Sequence, residues 1–348
     1  MTLPPPLTVL PARLHDLEQG SRLEWLEVDG RGGYASSTAI GANTRRYHGL
    51  LVVARRPPTD RVVLLSRIEE SLIVRGGERF DLSVNFYPGA VHPHGHRYLE
   101  EFKLDPWPIW RYRLGPYTLT KALFMARGVG ATVLLYHLRG GDALLELRPL
   151  VAGRDFHALG RASAIAPLAR ARPGRVIHHA NEDLPPLVLS FRGGDWDGSA
   201  EWYWQTVYPR ETERGLDDRE DLYCIGTLRV PLAHNRPWRL ACGTRPLPVG
   251  RAADWAAAER RRRTNAAEGG RQAAGRSRGL RELGARLGLA ADVFLVERDP
   301  PPRGGAPCGD PGSPPHEAPR GGGGRSIIAG YPWFADWGRD ALIALPGL

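Results

Sequence analysis

Apolar and polar positions along the chain change rhythm three times. From Glu24 to about Leu240 the apolar residues come in runs of strand length or alternate with polar ones, and turn formers separate them. Leu50-Leu51-Val52-Val53 and Val62-Val63-Leu64-Leu65 are such runs, with Pro57 and Pro58 between them. Trp110-Arg111-Tyr112-Arg113-Leu114 alternates strictly, and Gly115-Pro116 turns it into Tyr117-Thr118-Leu119-Thr120, which predicts a hairpin with its charges outward. Ala131 to Leu138 and Ala143 to Leu147 repeat the pattern about Gly140-Gly141-Asp142, and Leu187 to Phe191 and Leu228 to Leu232 continue it. Dense strand and turn signals over this length predict a mainly β fold, a large antiparallel β-sandwich. No repeat of fixed period is present, which argues against a propeller or solenoid.

After Pro248 the rhythm becomes helical. Ala252 to Arg263 is rich in Ala, Glu and Arg with Trp255 on its apolar side, and Leu280 to Val296 predicts a weaker helix running into the apolar Val293-Phe294-Leu295-Val296. Asp299 to Arg325 is dominated by Pro and Gly and is expected to be a flexible linker. The third change comes at Ile327, where dense apolar and aromatic sequence returns and a second domain is expected to begin. The expected divisions are 1–248 for the sandwich, 249–325 for a helical and then Pro/Gly-rich linker, and 326–348 for the start of the second domain.

Composition bounds the class. Of 348 residues, 42% are hydrophobic and 24% charged, the balance of a soluble globular chain. No apolar run approaches the ~20 residues of a membrane span. The start, Met1-Thr2-Leu3-Pro4-Pro5-Pro6, lacks the pattern of a signal peptide, so a cytoplasmic location is the default expectation. The net charge of +9 is nearly all arginine, lysine occurring only at Lys103 and Lys121. Without a nucleic-acid-binding motif this bias reads as genome composition, and the run Arg260 to Arg263 as a solvated helix end. Cys224, Cys242 and Cys308 form neither a disulfide framework nor a metal knuckle.

Several clusters carry candidate chemistry. His92, His94 and His96 alternate as strand ligands would, but no acidic or thiol ligand is near and a solvated loop is the simpler reading; His178-His179 reads as a surface pair. Gly30-Arg31-Gly32-Gly33 lacks the spacing of a dinucleotide loop and reads as a tight turn. Thr44-Arg45-Arg46-Tyr47-His48-Gly49 reads as structural, its arginines pairing with acids inside the sandwich or where a further domain docks, against substrate contact as the alternative. Trp196, Trp202 and Trp204, among Asp195, Asp197 and Glu201, read as sandwich core, with a sugar-contacting surface as the alternative. Near the end, Tyr331, Trp333 and Trp337 lie beside Asp336, Arg339 and Asp340. Flat aromatics with carboxylates and arginines suit sugars, which offer apolar C–H faces and hydroxyls together. The same aromatics are equally the core of a domain's first turns.

Ile327 to Leu348, IIAGYPWFADWGRDALIALPGL, closely resembles the opening of the catalytic domain of bacterial and archaeal glycogen debranching enzymes. The earlier part resembles the same family's leading domain in Glu24-Trp25-Leu26, Gly32 to Thr38, Thr44 to Val52, Tyr98-Leu99-Glu100, Leu104-Asp105-Pro106, Trp110-Arg111-Tyr112, Arg154 to His157 and Arg219 to Leu222. These matches fall in order. The resemblance implies a β-sandwich ahead of an (α/α)6 barrel, and amylo-α-1,6-glucosidase chemistry on glycogen or a branched α-glucan without metal or organic cofactor. It implies that Arg339 and Asp340 hold the terminal glucose, with Trp337 as a wall. It places the general acid and base far later in the barrel, on neither Asp336 nor Asp340. The expectation is therefore an N-terminal part of such an enzyme, with its barrel cut short at Leu348 and inactive alone. A free-standing glucan-binding module without catalysis is the alternative.

Overall fold

Strict alternation becomes structure at Pro108–Leu114, where Trp110, Tyr112 and Leu114 are buried and Arg111 and Arg113 are exposed. A strand shows alternate side chains to opposite faces, so this pattern commits one face to the core and one to water. The strand pairs antiparallel with Tyr117–Ala126 from Leu114↔Tyr117 to Ile109↔Ala122, the expected hairpin. The computed structural model describes residues 2–163, 167–275, 277–299 and 324–344. Cys308 and nearly all of the Pro/Gly-rich segment lie outside the described residues.

Two antiparallel sheets form the bulk of the chain. A nine-stranded sheet runs in the order Leu7–Val9, Leu99–Leu104, Pro108–Leu114, Tyr117–Ala126, Ala131–Arg139, Trp238–Gly243, Leu187–Phe191, Arg175–His178, Arg170–Arg172. A ten-stranded sheet runs Asp195–Asp197, Thr227–Leu232, Ala143–Asp155, Thr59–Val74, Gly49–Arg56, Tyr34–Thr38, Glu24–Val28, with Glu201–Val207, Arg219–Cys224 and Arg79–Asp81 paired off this path. Leu65, Leu72, Leu145 and Val230 of the second sheet meet Leu123, Leu134 and Leu189 of the first in one core. The fold is thus mainly β, as the patterning predicts. Gly140-Gly141-Asp142 does not close a hairpin, however. Ala131–Arg139 belongs to one sheet and Ala143–Asp155 to the other, so this turn carries the chain across the sandwich.

Both outer faces are partly covered. Trp107, Phe124, Val133 and Ala241 pack beneath the helix Ala252–Ala273, through Ala252, Trp255 and Ala256. A second helix, Arg278–Phe294, lies against the first so closely that glycines are obligatory. A Cβ on Gly270 would stand 2.0 Å from the carbonyl oxygen of Gly284, and one on Gly284 2.3 Å from that of Gly270. Arg260 to Arg263 is not a helix end, because the helix continues ten residues beyond Arg263; Arg260 and Arg261 are exposed as expected, but Arg262 and Arg263 are half-buried and paired. Arg263 reaches Glu27 at 2.5 Å and the carbonyl of Pro106 at 2.6 Å; Arg262 pairs with Asp292 of the second helix, and Arg260 lies 5.2 Å from the Trp107 ring. None of the described helices is long and apolar enough to cross a membrane.

Candidate functional site

The segment that carries the sugar-site signature is seated on the outer face of the ten-stranded sheet. Arg325–Ile327 pairs with Leu295–Glu297, and Ile328 bridges to Asp336, closing a loop that holds Tyr331, Trp333 and Phe334. Tyr331 is buried against Tyr34, their rings edge to face at 5.7 Å, in a cluster with Val52, Val63, Val296 and Ile328. Arg61 reaches up from the sheet, 1% exposed, and donates to the carbonyls of Gly32, Pro332 and Phe334 at 2.9, 3.1 and 3.0 Å. Its guanidinium also lies 4.9 Å from the Tyr331 ring centroid. Burial holds the guanidinium below its ordinary pKa, with the neighbouring tyrosines and Asp29 and Asp336 opposing that shift.

The loop 44–49 forms the other half of the seat. Arg45 pairs with Glu24 at 2.8 Å and lies 5.2 Å from the Trp333 ring, and Tyr47 meets Trp333 edge to face at 6.4 Å. Arg46 donates to the carbonyls of His157 at 2.8 Å and Asp217 at 2.6 Å, and lies 3.6 Å from Glu211. These arginines are structural, as expected, and Arg45 works where the last segment docks. Beneath them Arg154 and the fully buried Glu220 form a two-pronged pair, with Tyr208 and the Gly160 amide donating to the same carboxylate. Gly30 to Gly33 is a turn as predicted: the Asp29 carboxylate accepts from the amides of Arg31 and Gly33, and a Cβ on Gly32 (φ +93°) would strike the Pro58 carbonyl.

Trp337, Arg339 and Asp340 stand at the free edge of this docked loop. Trp337 is 55% exposed, and the Arg339 and Asp340 side chains are 80% and 43% exposed, with Arg339 Nε 3.9 Å from Asp340 Oδ2. The structure brings these three together in sequence order only. A groove of about 530 Å3 with Arg79, Glu146 and Arg229 in its walls, and a cavity of about 190 Å3 near Trp202 and His178, both lie on the sandwich and include none of the three. Asp336, by contrast, is committed to the loop, accepting from Ser326 Oγ at 2.8 Å and pairing with Arg298 at 3.3 Å. A side-by-side guanidinium and carboxylate beside an indole can grip adjacent hydroxyls.

Three expectations change. His178 is not a surface residue: it is 2% exposed, and burial with its neighbour His179 lowers its pKa to about 4. His92 and His94 lie on the edge strand Ala90–His94, not a loop, whereas His96 is buried. Among the described residues no group of three or more His, Cys, Asp or Glu is placed to hold a metal. Trp196 and Trp202 pack on the core half-buried, but Trp204 is 60% exposed. Arg61 escaped notice in the sequence because an arginine inside a Val-rich strand signals nothing until its carbonyl partners, some 270 residues away, are known.

A family model described as glycogen debranching enzyme N terminal matches residues 23–238, and one described as amylo-alpha-1,6-glucosidase matches residues 289–348. No curated protein matches the chain. Among solved structures, a bacterial glucoamylase complexed with acarbose is 11% identical, with a TM-score of 0.31, covering 68% of this chain and 32% of its own length. The chain spans about a third of that structure. With the first model alone matching more than half of its residues, the chain belongs to the glycogen debranching enzyme family.

Proposed function

We propose that this chain provides the leading domain and the opening of the catalytic domain of an amylo-α-1,6-glucosidase, which hydrolyses the single α-1,6-linked glucose at branch points of glycogen or a similar branched α-glucan. On this reading residues 1–248 are the leading sandwich, 249–325 the connection, and 326–348 the first turns of an (α/α)6 barrel, working in the cytoplasm. The observation that carries it is the order of two family matches, 23–238 then 289–348, with the segment 325–337 already seated on the sandwich through Arg61 and Tyr331.

In this reading Arg339 and Asp340 hold the hydroxyls of the terminal glucose and Trp337 packs on its C–H face. Both charges are now in water, where such hydrogen bonds are weak; a barrel closing over them would exclude water and strengthen them. The exposed Phe334, Trp337, Leu342 and Ile343 are the apolar surface such a barrel would cover. An inverting hydrolysis needs one carboxylic acid to protonate the leaving oxygen and one carboxylate to activate water, roughly 6.5–9.5 Å apart. We assign neither role within residues 1–348. The 348-residue chain should therefore bind an α-1,6-glucosyl maltotriose weakly at Trp337, seen as a shift of that indole's NMR signal, lose the Trp337 shift in R339A and D340A, and release no glucose from a branched limit dextrin. Measurable turnover, or a Trp337 shift indifferent to both substitutions, overturns the assignment.

A further inference from the structure

The sandwich carries a second place suited to a sugar, sharing no residue with Trp337, Arg339 and Asp340. The strand Ala143–Asp155 follows its partner Thr59–Val74 along most of its length, but the register shifts between Val151 and Arg154, and its pairing with Arg219–Cys224 covers only Leu150 and Val151. A bulge of this kind bends a strand and leaves its ladder open, which is why bulges recur beside sites. Here a cavity of about 190 Å3 opens where the two sheets part, between His178 of one sheet and Trp202, Asp221 and Tyr223 of the other. That volume is below the roughly 300–1,000 Å3 of pockets for drug-sized ligands and suits a single ring.

Its lining combines three properties. Trp202 and Tyr223 lie against one another, ring centroids 4.9 Å apart, and give a broad aromatic wall. His178 is 2% exposed, and its Nδ1 has no hydrogen-bond partner among the described residues; an imidazole with a pKa lowered to about 4 is neutral at physiological pH and presents one donor and one acceptor. Asp221 accepts from the amides of Ala162 and Gln205, one on each oxygen, which leaves lone pairs on both. The charges balance. Arg154 is spent on Glu220, and Arg161 at the rim offsets Asp221. A neutral ligand with one apolar face and several hydroxyls fits; an anion or a cation does not.

We propose that the cavity at the Ala152-Gly153 bulge binds one glucosyl unit of an α-glucan chain, anchoring the polymer by a sugar that does not react. The class of sugar rests on the debranching reading above; the presence of a sugar site does not. Maltohexaose titrated into the 348-residue chain, followed by tryptophan fluorescence and ligand-observed NMR, should saturate. W202A should weaken it about tenfold or more and R161A about threefold, with W204A and the double variant R339A/D340A within twofold of wild type. The Arg161 side chain is at the surface, so R161A reports on binding even if W202A unfolds. Folded W202A and R161A proteins that titrate like wild type overturn the site, as does wild-type protein that does not bind at tens of millimolar. Binding of cellohexaose but not maltohexaose, lost in W202A, keeps a sugar site here and overturns the α-glucan assignment.

Discussion

Arg61 ties the sandwich to the segment 325–337, and replacing it with methionine measures that tie. Two of its three hydrogen bonds go to the segment, to the carbonyls of Pro332 and Phe334. Hydrogen bonds from a charged donor contribute about 1.5–3 kcal/mol each, so the pair supplies about 3–6 kcal/mol. The guanidinium over Tyr331 at 4.9 Å adds about 0.5–2 kcal/mol. Against this stands the cost of burying the cation, several kcal/mol, which methionine does not incur. The balance is about 2–4 kcal/mol of docking free energy, or about 30- to 1,000-fold in the docking equilibrium. Hydrogen exchange reads this directly at Ile328, Ala329 and Phe334, whose amides bond to the carbonyls of Phe294, Ala335 and Gly330. In R61M their exchange should accelerate by that factor, while the amides of the hairpin Pro108–Ala126 change little. Acceleration below threefold in 325–337 would refute the claim that Arg61 holds the segment down.

Further outcomes follow from the same structure. E220Q strips the charge from a carboxylate buried among Arg154, Tyr208 and the Gly160 amide, so urea unfolding should show a loss of about 3–5 kcal/mol, and a loss under 1 kcal/mol would count against the network. His48 accepts the Thr44 amide on Nδ1 at 3.1 Å, and burial together with Arg45 lowers its pKa from 6.5 to about 3; Glu24, 4.0 Å from Nε2, is already held by Arg45. A histidine depressed in this way stabilises the fold above about pH 6.5, where it is neutral in both states, and the contribution drains away as the pH falls toward 3. Wild type should thus lose stability over that window faster than H48Q, and parallel curves would refute it. Leu342 and Ile343 are 70% and 73% exposed, so the wild-type chain should self-associate in sedimentation velocity, and changing both to glutamine should reduce that association while leaving the unfolding free energy within about 0.5 kcal/mol; a monomeric wild type or unchanged association refutes the expectation.

The alternation at Trp110 to Leu114 was readable because period two is a local property and one face of that strand is wet. The destination of Gly140-Gly141-Asp142 was not, because a turn that closes a hairpin and one that changes sheets use the same residues. The arginines show the same divide. Arg45 and Arg46 sit in a conspicuous polar cluster, which marks them as structural. Arg263 looked like part of a solvated charge run, since its partner Glu27 lies 236 residues earlier and only tertiary packing brings them together. For Trp337, Arg339 and Asp340 the residue types alone leave a sugar site and the core of a domain's first turns both open, and only the family resemblance gives the three a role. That they stand exposed at the edge of a loop anchored by the buried Tyr331 depends on Arg61 and Tyr34, which no local pattern connects to them.

The contact between Gly270 and Gly284 limits how this protein's sequence can drift. At most packed positions a residue that grows can be matched by a neighbour that shrinks, so the pair wanders together over time. Here each glycine faces the other's carbonyl oxygen, and both residues are already the smallest available. No second change can make room for a first. The two positions are frozen one by one rather than as a co-varying pair, and a search for correlated substitutions across the helical hairpin would miss the place where its helices are most tightly joined.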